Sequence, residues 1–314
     1  MVKLTAAVDG FLWDKQLTCS PTTVAKYRSL LGRFVAYMGD VDLAAVGAAD
    51  ARRFLVHIAT TPGARGRTLS RRTVHDMWAT LSSLWTWAER ELGTPHIIRG
   101  KIAAPTYTDK TIDPLTAAQV RALLDATGYQ RAYRLPSGKT ARAKRPSGLR
   151  DRAIVLTLLD SGMRVSELCA LTVGDYDPAR GRLRIRHGKG DKERFTVVGS
   201  RARRALWRYL AERGQPPAGA PLFAVRSGRA MNRDNIRHML NRLGEQAEVA
   251  DVHPHRFRHT FAVTFLRNGG NPLLLQELLG HERLATVQIY VRLAERDIDA
   301  ATRYSPADVW GVGA

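Results

Sequence analysis

The first hundred residues carry apolar side chains every three or four positions, which is the spacing of amphipathic helices. This pattern predicts four helices, over residues 3–16, 20–39, 48–60 and 70–92. The second and fourth begin at serine, a residue that caps helix N-termini. Because no strand pattern interrupts them, we expect a small all-helical domain over residues 1–100. The inward-facing residues predicted for the first helix are Leu4, Val8, Leu12 and Trp13.

The pattern changes beyond residue 100. Residues 101–114 contain two prolines and are predicted to form a linker. A capping box, in which Thr116 and Gln119 satisfy each other's backbone amides, is then predicted to open a helix. We therefore place a second domain at residues 115–314.

Two segments of the second domain depart from helical spacing. Residues 182–186 alternate with a period of two, and the mainly apolar residues 195–198 follow a glycine-rich stretch, which predicts a β-hairpin. The connecting residues 188–194 are basic and glycine-rich, so they are predicted to form the hairpin tip. The remaining apolar spacing is helical. The predicted fold class is mainly α with a small β-hairpin or sheet, in a two-domain chain.

Composition narrows the function classes. The 314 residues include 49 lysines and arginines against 29 acidic residues, so the net charge is +20. This excess implies an anionic partner, and nucleic acid is favoured over a membrane surface. No apolar run is long enough to span a bilayer, and no secretion signal is present. Cys19 and Cys169 lack metal-type spacing, so a cytoplasmic protein is expected.

Basic residues cluster around the predicted start of the fourth helix and in residues 129–150. The second cluster carries seven basic side chains and no acidic one, and two Pro-Ser-Gly triplets interrupt it. Such a composition predicts a mobile loop, which is either a solvated insertion or a segment ordered by DNA phosphates. Surface arginines are often only solvated, so that alternative stays open for both clusters. The predicted DNA contacts, with one residue of the hairpin tip, are Arg65, Arg67, Arg71, Arg72, Arg142, Lys144, Arg145 and Lys192.

Residues 253–290 combine phosphate-binding side chains with a tyrosine. His255 and Arg258 lie three residues apart at the start of a predicted helix, where free amides and the helix dipole favour an anion. Glycines end this helix and the next one, which predicts a tight turn at His281. Tyr290 follows nine residues later, in a third helix. The arrangement suggests phosphoryl transfer at a nucleic-acid backbone.

Two upstream segments supply further basic candidates. Arg164 precedes Glu167 by three residues, so this carboxylate can orient the guanidinium. The alternative is a surface ion pair worth a few tenths of a kcal/mol. Lys189 lies in the predicted hairpin tip, with Lys192 as its local competitor.

These segments together resemble the catalytic domain of tyrosine recombinases, the phage-integrase and Xer-like family. The matching motifs are Gly-x-Arg-x-Ser-Glu-Leu, the Gly-Lys-Gly-x-Lys-Glu-Arg hairpin, His-x-x-Arg, Leu-Leu-Gly-His and a tyrosine nine residues later. In this family the tyrosine is the nucleophile. The catalytic residues that the resemblance implies, with Glu167 in support, are Arg164, Lys189, His255, Arg258, His281 and Tyr290.

The resemblance implies a site-specific recombinase that cleaves and rejoins DNA through a covalent 3′-phosphotyrosine, without ATP or metal. It also implies that the N-terminal domain clamps double-stranded DNA and that four copies assemble on it. Whether the chain is a monomer in solution stays open. The end of the chain is expected to dock on a neighbouring protomer, or alternatively to fold back on its own domain.

Three alternatives are weighed against this function. A type IB topoisomerase uses the same chemistry without pairing two sites, and a catalytically silent DNA-binding protein would need none of it. The third is a zinc site at His253, His255 and His259. Arg256 and Arg258 would repel the cation there, and no cysteine or acidic ligand joins, so we expect no metal.

Overall fold

The structure is a computed structural model that describes residues 1–62, 66, 68–108, 113–130, 133–134, 140–141, 143–186, 193–280 and 285–294. It divides the chain into two compact units, Met1–Thr111 and Ile112–Ala314. The division lies inside the stretch predicted to be a linker. None of the described helices is long and apolar enough to cross a membrane.

The first unit is helical, as predicted. Ser20 and Ser70 cap their helices, because each side chain accepts a hydrogen bond from the backbone amide three residues later. Trp85 and Phe34 pack edge to face in the centre of this unit. The helices of the first unit are α1 (Leu4–Thr18), α2 (Pro21–Met38), α3 (Ala48–Thr60) and α4 (Arg71–Leu92).

The prediction that Trp13 faces inward is wrong, because its side chain is 68% exposed. The buried stripe of α1 runs through Leu4, Ala7, Val8, Phe11 and Leu12. A residue directly after Leu12 lies 100° further round the helix, since 3.6 residues complete one turn. Phe11, and not Trp13, therefore lies on the buried face of α1.

The second unit is α-helical with a small antiparallel sheet, which confirms the predicted fold class. Its three-stranded sheet has the order β3 (Tyr176–Asp177), β4 (Arg182–Ile185) and β5 (Arg194–Val197), and Leu183 of β4 pairs with Thr196 of β5. The short strand β3 was not predicted, since two residues are too few to show alternation. Its elements are α5 (Ala117–Ala126), β1 (Tyr133–Arg134), β2 (Thr140–Ala141), α6 (Gly148–Ser161), α7 (Val165–Ala170), β3 (Tyr176–Asp177), β4 (Arg182–Ile185), β5 (Arg194–Val197), α8 (Ser200–Glu212), α9 (Arg233–Ala247), α10 (Pro254–Arg267), α11 (Pro272–Leu279) and α12 (Ala285–Ala294).

The basic segment 129–150 differs from the predicted loop. In its described part, β1 pairs with β2, and Tyr129 forms a bridge with Lys144 at the base. Arg145 ties this base to α9, because its guanidinium donates to the Gln246 side chain and to the Tyr129 carbonyl. The prediction of a loop throughout is therefore wrong, since the described part contains two paired strands and Arg145 is bound by Gln246.

Helix α10 contributes to both apolar clusters of this unit. It packs against α6, α11 and α12, and β5 packs against α11. Phe257 anchors α10 in the main core, whereas Val263 belongs to a smaller apolar cluster with α11 and α12. One face of α10 therefore meets the rest of the unit and another meets the last two helices.

Candidate active site

Arg258 is held between the ends of two helices. Its Nη1 donates to the Gly162 carbonyl at 2.7 Å, and its Nη2 donates to the Leu279 carbonyl at 2.8 Å. These carbonyls lie at the C-terminal ends of α6 and α11, where helix carbonyls lack intrahelical partners and favour a cation. Arg258 is only 4% exposed. Its guanidinium is held by two backbone carbonyls that have no partner within their own helices.

Two glycines make these helix ends possible. Gly162 and Gly280 follow α6 and α11 with φ values of +58° and +62°, in the left-handed region that suits glycine. A Cβ at Gly280 would lie 3.0 Å from the guanidinium of Arg194. The turn at Gly280 also presents its carbonyl to Arg164, at 3.2 Å from Nη2.

Glu167 joins two arginines. Arg164 donates from Nη1 to Oε1 at 2.9 Å, and the Arg164 backbone amide donates to Oε2 at 2.7 Å. Arg194 of β5 binds both carboxylate oxygens, at 3.0 and 2.8 Å, and its Nε donates to the Leu278 carbonyl at 3.1 Å. The expected orientation of Arg164 by Glu167 is present, and the surface alternative is wrong because Glu167 is buried. We call Arg164, Glu167, Arg194 and Arg258 the arginine side.

The electrostatics of the arginine side leave both Glu167 and Arg258 charged at neutral pH. Burial alone would raise the pKa of Glu167, but hydrogen bonds from Arg194 and from the Arg164 amide outweigh it and lower that pKa. Burial, with a contribution from Arg164, lowers the pKa of Arg258 to about 10. Arg258 therefore remains a cation at neutral pH, as phosphate binding requires.

Tyr290 lies on α12 and points back to α10. Its hydroxyl is 2.9 Å from Nδ1 of His259, and the ring is only 4% exposed. Burial raises the pKa of Tyr290, with Arg258 acting in the opposite direction. We call Tyr290, His259 and α12 the tyrosine side. The residue that contacts the phenol is thus the immediate neighbour of Arg258 in the sequence.

His255 lies one turn before His259 on α10. Burial, followed by Arg258 and Arg164, lowers the pKa of His255. The family resemblance implies that His255 accepts the phenolic proton. Within the described residues, however, the hydrogen bond of Tyr290 goes to His259, and the contact of His255 is with the His259 ring at 6.4 Å between centroids.

Comparisons with known proteins agree with this geometry. Residues 113–296 match the model of the phage integrase family, and residues 11–92 match its N-terminal SAM-like domain. The chain is 35% identical to the tyrosine recombinase XerC of Pelobacter propionicus, over 90% of this chain and 88% of that protein. It is 33% identical to XerC of Oceanobacillus iheyensis, over 94% of each.

The chain belongs to the phage integrase family of tyrosine recombinases. It is therefore an enzyme of site-specific DNA recombination, which breaks and rejoins DNA strands. The fold also matches the Tn1549 transposon integrase solved with circular intermediate DNA, with a TM-score of 0.75 and 19% identity over 97% of this chain and 98% of that one. At this identity the likeness shows a shared fold.

The structure of this recombinase brings together three of the predicted catalytic residues, Arg164, Arg258 and Tyr290, with His255 beside them. Among the predicted DNA contacts, Arg71, Arg72 and Lys144 are exposed, whereas Arg145 is bound into the base of the β1–β2 hairpin. The predicted residues outside the described part of the chain are Arg65, Arg67, Arg142, Lys189, Lys192 and His281.

Sequence reasoning gave no role to Arg194 and considered His259 only as a zinc ligand. Arg194 ends the hairpin motif that was quoted for its lysines, and nothing in that motif showed that its partner would be Glu167. His259 had a usable signal, since it follows His255 by four residues and so lies on the same helix face. Within the described residues, no group of three His, Cys, Asp or Glu side chains is arranged to hold a metal ion.

Proposed function

We propose that Tyr290 attacks a DNA phosphodiester, which joins the 3′ phosphate to the phenol and frees a 5′ hydroxyl. The observation that carries this proposal is the pairing of neighbours on α10. Arg258 is a buried cation, and His259, the next residue, holds the Tyr290 hydroxyl at 2.9 Å. A phosphate that reaches Arg258 would therefore meet the nucleophile without a large movement of the backbone.

Arg164 and Arg258 neutralise the charge that develops on the phosphate. Arginine suits this task because its planar fork binds phosphate oxygens in pairs and keeps its charge. Arg164 uses two of its five N–H donors in the contacts with Glu167 and Gly280 described above, which leaves donors for a phosphate. Fixing both guanidiniums before DNA binds lowers the cost of reorganisation during the reaction.

Two further roles, those of Lys189 and His281, follow from family resemblance, and a third, that of His255, follows from its position. Lys189 donates a proton to the leaving 5′ oxygen, since an ammonium group can supply that proton. His255 and His281 donate hydrogen bonds to phosphate oxygens. His255 is suited to this because it lies towards Arg258 and Arg164, whose charges influence its pKa.

The covalent link stores the free energy of the broken phosphodiester. A 5′ hydroxyl can then attack the phosphotyrosine and rejoin the strand, so neither ATP nor a metal ion takes part in the proposed cycle. Reversal of the same chemistry exchanges strands when the attacking hydroxyl comes from a second site.

Double-stranded DNA is the proposed partner, and the net charge of +20 supports it. In the first unit the proposed contacts surround the start of α4, where Arg71 and Arg72 are exposed. In the second unit we retain Lys144, which is exposed, and set Arg145 aside because its guanidinium is engaged by Gln246. Proposed contacts that lie outside the described residues are Arg65, Arg67, Arg142 and Lys192.

Recombination of two sites requires several active copies, and we propose that four copies assemble on DNA. Exposed apolar side chains on the last helices support a contact between copies. Leu273 and Leu274 on α11 and Ile289 on α12 are all large and exposed. Such residues are usual at surfaces that another protein covers.

Covalent trapping tests the nucleophile. With a nicked suicide substrate, wild-type protein should accumulate as a covalent DNA complex, and Tyr290→Phe should give none while binding the same DNA with similar affinity. Tyr37→Phe, at an exposed ring of the first unit, is the matched control and should trap as wild type does. A covalent complex with Tyr290→Phe would remove Tyr290 from the nucleophile role.

A further inference from the structure

The Tyr290 hydroxyl has one hydrogen-bond partner among the described residues, Nδ1 of His259. The two ring centroids lie 5.6 Å apart, and burial of Tyr290 keeps bulk water from competing. Because burial also raises the pKa of Tyr290, the phenol retains its proton at neutral pH. The phenolic O–H donates to Nδ1 when the imidazole carries its proton on Nε2.

His259 is suited to accept that hydrogen bond as a neutral ring. Burial is the main cause that lowers its pKa, and the neighbouring His255, His253 and Arg258 lower it further, to about 4. A neutral imidazole with its proton on Nε2 presents a lone pair at Nδ1. In that tautomer the nitrogen that faces the nucleophile is a basic atom and not a donor.

His255 and His259 lie on the same face of α10 but interact with different groups. The pKa of His255 responds to both Arg258 and Arg164, which places His255 towards the arginine side. His259 contacts Tyr290 directly. Within the described residues, no hydrogen bond joins His255 to Tyr290. The geometry separates a histidine near the phosphate site from a histidine on the nucleophile.

We propose that His259 is a catalytic residue, which accepts the phenolic proton of Tyr290 during strand cleavage. This inference rests on the nucleophile role of Tyr290 proposed above. As the Oη–P bond forms, the O–H electron pair stays on Oη and the proton moves to Nδ1. The P–O5′ bond breaks, its electron pair goes to O5′, and the general acid protonates that oxygen. In rejoining, the steps reverse and His259 returns the proton to the leaving phenol.

Bound DNA makes His259 a better base. In the free enzyme, three groups of α10 and its N-cap disfavour a proton on His259, namely His255, His253 and Arg258. From α12, Tyr290 faces the His259 ring. A phosphate beside Arg258 adds negative charge to this environment. An opposite charge nearby favours the imidazolium, so the pKa of His259 rises when the substrate is in place.

Substitution by asparagine separates proton transfer from positioning. His259→Asn keeps an acceptor near the position of Nδ1 but has no basic nitrogen. On the nicked suicide substrate, we expect it to form the covalent complex about 100-fold more slowly than wild type at neutral pH. Its rate should rise with pH as more of the phenol ionises. His255→Asn, the comparison variant one turn away, should also be slow but should gain nothing from higher pH.

A more acidic nucleophile provides the second arm. With 3-fluorotyrosine at position 290, the phenol ionises more easily and depends less on a base. We expect this replacement to return about tenfold of the rate lost in His259→Asn and to change the wild-type rate far less. Recovery of this kind would not follow if His259 only supported the fold.

Two results would overturn the inference. One is a cleavage rate of His259→Asn within about threefold of wild type, and the other is a slow variant that neither pH nor fluorotyrosine restores. Tyr290→Phe in the same assay separates the two proposals, because a covalent complex there would defeat the nucleophile role itself. NMR of ring-labelled histidine can be recorded on the wild-type protein, so this test does not depend on whether a variant folds. An unprotonated Nδ1 on His259 is expected, and a protonated one contradicts the proposal.

Discussion

The arginine side and the tyrosine side of the site are held in different ways. Each guanidinium of the arginine side donates to a buried carboxylate or to carbonyls at the ends of α6 and α11. Among the described residues, the tyrosine side is held by the hydrogen bond between Tyr290 and His259, by a longer one of 3.4 Å from Arg267 to the Leu293 carbonyl of α12, and by a small apolar cluster around Val287. The proposed phosphate-binding groups are thus fixed by several buried hydrogen bonds, whereas the described hydrogen bonds to the proposed nucleophile and its helix are few.

This difference suits the order of events in strand exchange. A charged site gains most from being organised in advance, because dipoles and charges then need not rearrange in the transition state. A nucleophile that must react, release and react again gains from a weakly held element. Local elements with few buried contacts open at lower cost than the core. We therefore expect substitutions on the arginine side to affect stability and cleavage together, and those on the tyrosine side to affect mainly cleavage.

Glu167→Ala should have the largest effect. The variant leaves Arg164 and Arg194 without their shared buried carboxylate, which typically costs about 3–5 kcal/mol in unfolding free energy. Urea unfolding measures this loss. Glu193→Ala, which removes an exposed carboxylate from the neighbouring hairpin, is the control and should change stability little. Equal stability of the two variants would mean that the arginine side is not held as described.

Arg258→Ala should follow in size. Loss of one transition-state donor of this kind costs about 2.7–4 kcal/mol, or roughly 100- to 1,000-fold in the rate of covalent complex formation. Arg258→Lys should recover little, since an ammonium cannot bind the Gly162 and Leu279 carbonyls and a phosphate in the same planar arrangement.

The control for Arg258 is an exposed arginine on α9. Arg237→Ala removes the same charge from the surface and should cleave at nearly the wild-type rate. Cleavage by Arg258→Ala within about fivefold of wild type would remove Arg258 from the catalytic set.

Local sequence signals explain how much of this site was predictable. Ser20, Ser70 and Thr116 act through residues three positions away, so the helix starts that they cap could be read directly. The partnership of Arg194 with Glu167 joins residues 27 apart, and that of His259 with Tyr290 joins residues 31 apart. Such pairs depend on how helices and strands pack. Motif spacing identified Tyr290 and Arg258 through family resemblance, but it carried no information about their neighbours.

The tyrosine side should show its weaker hold in Val287→Ala. Val287 is fully buried in the small cluster of α10, α11 and α12. Removing its two methyl groups costs about 1–2 kcal/mol of burial. If α12 opens as a local unit, its amides should exchange hydrogen faster while the urea midpoint of the whole unit hardly moves.

Leu158→Ala is the matched change in the main core. It should lower the urea midpoint, because deleting a buried leucine side chain typically costs about 2–5 kcal/mol. A midpoint shift in Val287→Ala as large as in Leu158→Ala would show that α12 is part of the main cooperative core.

A further difference between the two sides is expected in their pH dependence. The pKa of His259 is lowered from 6.5 to about 4, so between these values the unfolded chain binds a proton that the folded chain does not. Stability from this group is complete above the unfolded pKa and is lost as pH falls towards 4. The lowered pKa of Glu167 acts only below its ordinary value of 4.5. Between pH 6.5 and 4.5, the urea midpoint should therefore fall less steeply with decreasing pH in His259→Asn than in wild type. The difference in slope should correspond to the uptake of about one proton at most. Glu167→Gln should keep the wild-type slope in that window, and an equal change of slope in both variants would contradict this assignment.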